Sequence, residues 1–232
     1  MTQGNVTLTR RRLTTPRAAA VAGILFAVLF SISIVLMRLF IPADLSDSGW
    51  LETGAGRVSL ALGLMPFAGI AFLWFVGVVR DRLGDFEDQF FSTVFFGSGL
   101  LFLAMTFAAS AIAGGILASY ARETSQLLGR DVYVFGRAVM SQIFNVYALR
   151  MAGVFMISLG TIWLRTELMP RWVPVTTYLV ALVLLLIVSL SLWVVLIFPG
   201  WVFLISVYIL VLNMRRPSSG VTDGLTSGQL AE

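Results

Sequence analysis

Long apolar runs separated by short polar stretches set the pattern of this chain. Residues 18–38, 58–79, 90–119 and 135–164 form four such runs, and residues 172–213 form a last one without a single charge. The hydrocarbon core of a bilayer is ~30 Å thick and takes ~20 helical residues to cross, so every run is long enough to span it. As one helix the last run would be ~63 Å long, about twice that thickness, so it is read as two spans, 172–190 and 193–214. The turn between them is expected around Ser189 to Val194, with Pro199 inside or near the start of the sixth helix. The pattern predicts an all-α fold: a polytopic membrane helix bundle with six transmembrane helices.

Each run has its own features. The first follows a polar stretch with Arg10, Arg11, Arg12 and Arg17. It is longer than the apolar region of a signal peptide and lacks a small-x-small cleavage site, so it reads as an uncleaved first helix. The second holds Pro66, which removes the donor for the Leu62 carbonyl and predicts a kink. The third carries small residues at four-residue spacing: Ala104 and Ala108, then Ser110, Gly114 and Ala118, then Ala111, Gly115 and Ser119. Such rows let helix backbones approach closely in lipid, which predicts a central helix packed against its own chain. Between the second and third runs, Arg80 to Gln89 reads as a tight connector, with Gly84 at a helix end and Asp85, Glu87 and Asp88 at the next helix start.

Composition sharpens this picture. Of 232 residues 58% are hydrophobic and only 12% charged, far below the quarter expected of a soluble domain. The domain plan is a basic tail (1–16), one membrane domain (17–214) and a Ser-, Gly- and Thr-rich disordered tail (215–232). All 16 basic residues are arginine, in keeping with a high-GC bacterial genome. Nucleic acid is not expected as a partner, because the arginines are spread over loops and chain ends rather than gathered on one element. Cysteine and histidine are both absent. That removes disulfides, thiolate nucleophiles, haem ligation, ordinary zinc sites and histidine bases. No metal and no cofactor is expected.

The arginines set the expected topology. Arg10, Arg11, Arg12, Arg17, Arg80, Arg82, Arg165, Arg171, Arg215 and Arg216 fall on one side of a six-span arrangement, against Arg38, Arg57, Arg122 and Arg130 on the other. By the positive-inside rule both termini are cytoplasmic, in a multi-pass protein of the inner membrane.

The fourth run differs from the others in carrying polar groups: Arg137, Ser141, Gln142, Asn145, Tyr147 and Arg150. Gln142, Asn145 and Arg150 can share a broad helical face, and polar faces within a membrane turn to the bundle interior or to water. No span holds Asp or Glu in its apolar core, so Arg150 needs another partner. Outer-loop acids, backbone carbonyls such as that of Leu62, or an anionic ligand or lipid headgroup could each serve, as could snorkelling to the interface. Arg150, Gln142, Asn145 and Arg137 are the candidate ligand-binding residues. Arg80, Arg82, Asp85, Glu87 and Asp88 are the candidate partner-binding residues.

The absence of intramembrane acids argues against proton-coupled transport, and no selectivity-filter, nucleophile-elbow, HExxH or P-loop pattern is present. The segments PRAAAVAGILF, GRVSLALGLMPF and FPGWVFLISVYILVLN resemble a group of bacterial six-span integral membrane proteins to which no activity is attached. That resemblance implies a fold and a membrane location only. The functional expectation is a non-catalytic accessory or scaffolding subunit of a bacterial inner-membrane assembly. The alternative is a carrier or binding protein for a lipid or amphipathic anion. The bilayer is one expected partner, with either a membrane protein or an anionic lipid as the second.

Overall fold

A backbone in hydrocarbon has no water to bond, so it satisfies its own N–H and C=O groups by coiling into helices. The computed structural model describes residues 15–83, 89–121, 129–166, 169–186 and 192–214, and helices dominate it. They are α1 (Thr15–Phe40), the single turn α2 (Trp50–Thr53), α3 (Ala55–Leu83), α4 (Gln89–Ala121), α5 (Arg130–Gln142), α6 (Leu149–Thr166), α7 (Trp172–Leu186) and α8 (Ile197–Met214). A π-helical segment, Ile143–Ala148, joins α5 to α6, and a 3₁₀ turn, Leu192–Leu196, precedes α8.

Five helical stretches are long and apolar enough to cross a membrane: Ala18–Phe40, Ala55–Asp81, Phe90–Ala121, Arg130–Thr166 and Trp193–Leu212. The fifth expected span, 172–190, is represented by the shorter apolar helix Trp172–Leu186. At 1.5 Å per residue α7 covers ~22 Å, short of a ~30 Å core. Residues 187–191, where the expected turn begins, lie outside the described residues. Pro199 falls in the first turn of α8, directly after the 3₁₀ turn. α3 continues through Pro66, which sits on its exposed face.

α1 packs along α3 on one side and α8 on the other, α4 packs against α3 and α6, and α7 lies on α6. The core is a cluster of phenylalanines, one each from five helices. Phe72 of α3 has ring centroids 4.8 Å from Phe26 (α1), 5.4 Å from Phe102 (α4), 5.4 Å from Phe155 (α6) and 6.0 Å from Phe198 (α8). All five are fully buried.

The small-residue rows of α4 do not build this core. Ala104, Ala108, Ala111, Gly115 and Ala118 are exposed, while Ser110, Gly114 and Ser119 are half-buried. The inward face is instead Phe102, Thr106, Ala109, Ala113 and Ile116. Periodicity identified a close-packing stripe, but the face that carries Phe102 and Ile116 offers more dispersion contact and faces inward.

Close approach occurs between α1 and α8. A Cβ at Gly23 would collide with Ser206 Oγ and lie 2.9 Å from Phe75 Cδ2. Ser206 is fully buried and its hydroxyl has no hydrogen-bond partner among the described residues. Gly23→Ala is therefore expected to cost about 1–3 kcal/mol by overpacking. Adding Ser206→Ala removes the nearest clashing atom and should recover most of the loss in thermal unfolding of the detergent-solubilised protein. Equal midpoints for the wild type and Gly23→Ala would contradict this contact.

Candidate functional site

The polar groups gather at one end of the bundle, where α1 ends and α5 begins. Asx turns shape the loop between α1 and α2. Asp44 Oδ1 accepts bonds from the Ser46 N–H at 2.9 Å and the Ser46 hydroxyl at 2.8 Å, and Asp47 Oδ1 accepts the Gly49 N–H at 2.8 Å. The Ser46 bonds, and beyond them the charges of Arg130 and Arg137, hold the Asp44 carboxyl below the usual carboxylate range. The loop delivers Trp50 into a small satellite core with Leu51, Val58, Ile116 and Tyr133.

Arg137 of α5 fastens this loop to the bundle. Only 2% exposed, it donates through Nη2 to the Pro42 carbonyl at 2.7 Å and through Nη1 to the Tyr133 hydroxyl at 2.8 Å. Nη1 also points to the Asp47 carbonyl at 3.4 Å. Tyr133 completes the clasp by donating to the Asp47 carbonyl at 2.6 Å and accepting from Trp50 Nε1 at 2.8 Å. The Arg137 guanidinium also sits 5.9 Å from the Trp50 ring centre and 5.8 Å from that of Tyr133.

A second guanidinium, Arg38, lies in the last turn of α1. Its Nη2 donates to Asn145 Oδ1, and Asn145 Nδ2 in turn donates to Ser141 Oγ at 3.0 Å. Arg38, Arg137, Ser141 and Asn145 share the wall of one cavity of about 100 Å³. The rest of the wall is mostly apolar, with Ile34, Met37, Ile41, Leu45, Met65, Met140 and Phe144. Among the described residues no carboxylate forms an ion pair with either guanidinium, and the buried Nε of each has no hydrogen-bond partner.

Magnitudes separate the two arginines. Burying an ion costs several kcal/mol even after relaxation, and a hydrogen bond to a charged group returns about 1.5–3 kcal/mol. Arg137 has two well-formed bonds and a longer third, so the protein largely compensates it. Arg38 has one among the described residues, to a neutral amide, and is only half-buried, so it bears part of that cost. Its charge is the one left wanting an anion.

Of the residues singled out from sequence, Arg137 and Asn145 meet at this cavity and two do not. Gln142 and Arg150 are exposed, and Arg150 Nη1 donates to the Val146 carbonyl of its own helix at 3.1 Å. Gln142 lies before the π segment, about 100° round α5 from Ser141, and for Arg150 the physical reason is that segment. Its wider turn changes the angular relation between residues before 143 and after 148, so a face drawn with a uniform 3.6-residue period does not hold across it. Arg38, Tyr133 and Trp50 were not identified as site residues from sequence. Arg38 carried a signal, as a guanidinium at the end of an apolar run with no acid beside it.

At the opposite end of the bundle, Arg80 of α3 stacks over Phe96 at 4.8 Å and Arg165 of α6 over Phe91 at 4.6 Å. Asp85, Glu87 and Asp88 of the expected partner-binding connector lie outside the described residues, as does the side chain of Arg82. Among the described residues no three His, Cys, Asp or Glu side chains gather as a metal site would require. No family model, curated protein or solved structure matches this chain.

Proposed function

We propose that this chain is a membrane protein that binds an amphipathic anion, with Arg38 and Arg137 as the cationic contacts and Asn145 and Ser141 orienting Arg38. One observation carries the reading: two guanidiniums border one small, largely apolar cavity with no carboxylate paired to them among the described residues. A guanidinium fork suits carboxylate and phosphate oxygens, and an uncompensated intramembrane cation is a functional candidate. Along α1 the distance from Arg17 to Arg38 is ~31 Å, about one hydrocarbon thickness. A cavity beside Arg38 therefore suits a ligand at headgroup depth. The arginine distribution supports six spans in a bacterial inner membrane with both ends cytoplasmic, and the cavity then opens toward the outer leaflet.

A second reading, an accessory subunit of a larger assembly, is favoured by the exposed small-residue row Ala104, Ala108, Ala111 and Gly115, which would let a foreign helix approach closely. Native mass spectrometry of the protein extracted in mild detergent discriminates the two. The anion reading expects a lone chain carrying one anionic lipid or metabolite, lost in Arg38→Gln with the unfolding midpoint kept. A stoichiometric protein partner and no retained anion would favour the subunit. Equal anion retention by wild type and Arg38→Gln would contradict the assigned contacts.

A further inference from the structure

We infer that the anion is a phosphate monoester at the end of a membrane lipid, held by its headgroup while its chains stay in the bilayer. The inference rests on the amphipathic-anion reading and narrows it by size, charge and lining.

Size comes first. Sites that enclose a drug-sized ligand run to about 300–1,000 Å³, and an apolar cavity of about 150 Å³ just takes benzene. At about 100 Å³ this cavity cannot swallow a lipid. It suits a small head such as a bare phosphate and excludes one extended by glycerol or ethanolamine.

Charge points the same way. A phosphate monoester carries about −1.5 to −2 near neutral pH, whereas a carboxylate or a phosphate diester carries one negative charge. The wall holds two guanidiniums and no acid. Asp44 is not part of the wall, and its carboxylate feels the charges of Arg130 and Arg137 from outside it. The Arg38 guanidinium, which makes one hydrogen bond among the described residues, to Asn145, is the group such a phosphate would engage.

The lining supplies the lipid half of the argument. Met37, Met65 and Met140, from three different elements, border the cavity. Unbranched, polarisable side chains adapt to the irregular apolar neck below a headgroup. A free inorganic anion would make no use of them.

The test uses the full chain in neutral detergent, titrated separately with dioleoyl phosphatidate, dioleoyl phosphatidylglycerol, oleate and inorganic phosphate, with bound species counted by native mass spectrometry. Phosphatidate is expected to bind one to one and about tenfold more tightly than the other three. Arg38→Gln is expected to remove that preference without changing the unfolding midpoint. Phosphatidylglycerol or oleate binding as tightly as phosphatidate would overturn the monoester inference and leave the amphipathic-anion reading standing. Inorganic phosphate matching phosphatidate would overturn the lipid source. Binding of none of the four would overturn both readings. The wild-type preference series is decisive even if the variant misfolds.

Discussion

Arg137→Lys should destabilise this protein more than Arg137→Met, although lysine keeps the charge. The guanidinium reaches the Pro42 carbonyl through one nitrogen and the Tyr133 hydroxyl through another. A lysine ammonium is a single point on a flexible stem and cannot span both acceptors. It would leave a buried cation short of its bonds, a situation that costs about 3–5 kcal/mol. Methionine removes the ion together with its desolvation cost. What remains is the unsatisfied Pro42 carbonyl and a weakened clasp, about 1–3 kcal/mol. Tyr133 keeps its bonds to Trp50 and Asp47 in both variants, so the loop loosens rather than detaches. Thermal unfolding of the three purified proteins reads the order directly. A lysine variant as stable as the wild type would mean that charge alone, not the two-pronged geometry, holds residues 42–47 against α5.

Phe72→Ala carries the other large effect. Its ring lies within 6.5 Å of five other phenylalanine rings, including Phe75 of its own helix. Aqueous burial gives no drive between helices in lipid, so the ring acts through packing alone. The void left by truncation cannot close, because four other helices already meet there. Phe→Ala in a soluble core costs about 3–5 kcal/mol, and the packing share retained here should be on the order of 3 kcal/mol. By contrast Phe67→Ala on the same helix, 62% exposed, should change the midpoint little. If the two variants unfold together, the five-helix cluster is not the mechanical centre of the bundle.

The two predictions probe different links in the molecule. Arg137 connects residues 42–47 to α5, and Phe72 connects the helices that carry the cavity. Arg38→Gln differs from both because Arg38 has a single hydrogen bond to lose, so it should report ligand with little effect on fold.

The sequence by itself determined that the chain is helical, and it marked the five stretches long and apolar enough for a membrane but not the shortness of α7, because helicity follows from backbone satisfaction in lipid and span length from run length alone. It also marked Arg137 and Asn145, since polar groups inside an apolar run stand out without any knowledge of neighbours. Tertiary structure decided the rest. It brought Arg38 beside Asn145, 107 positions apart in the chain, which no local pattern encodes. It left Gln142 outward before the π segment and Arg150 outward beyond it, and it faced Phe95 and Phe102 of α4 inward with most of the small-residue rows outward. Helical period reveals which residues share a face on one uninterrupted helix. Which face meets which neighbour depends on packing among helices distant in sequence.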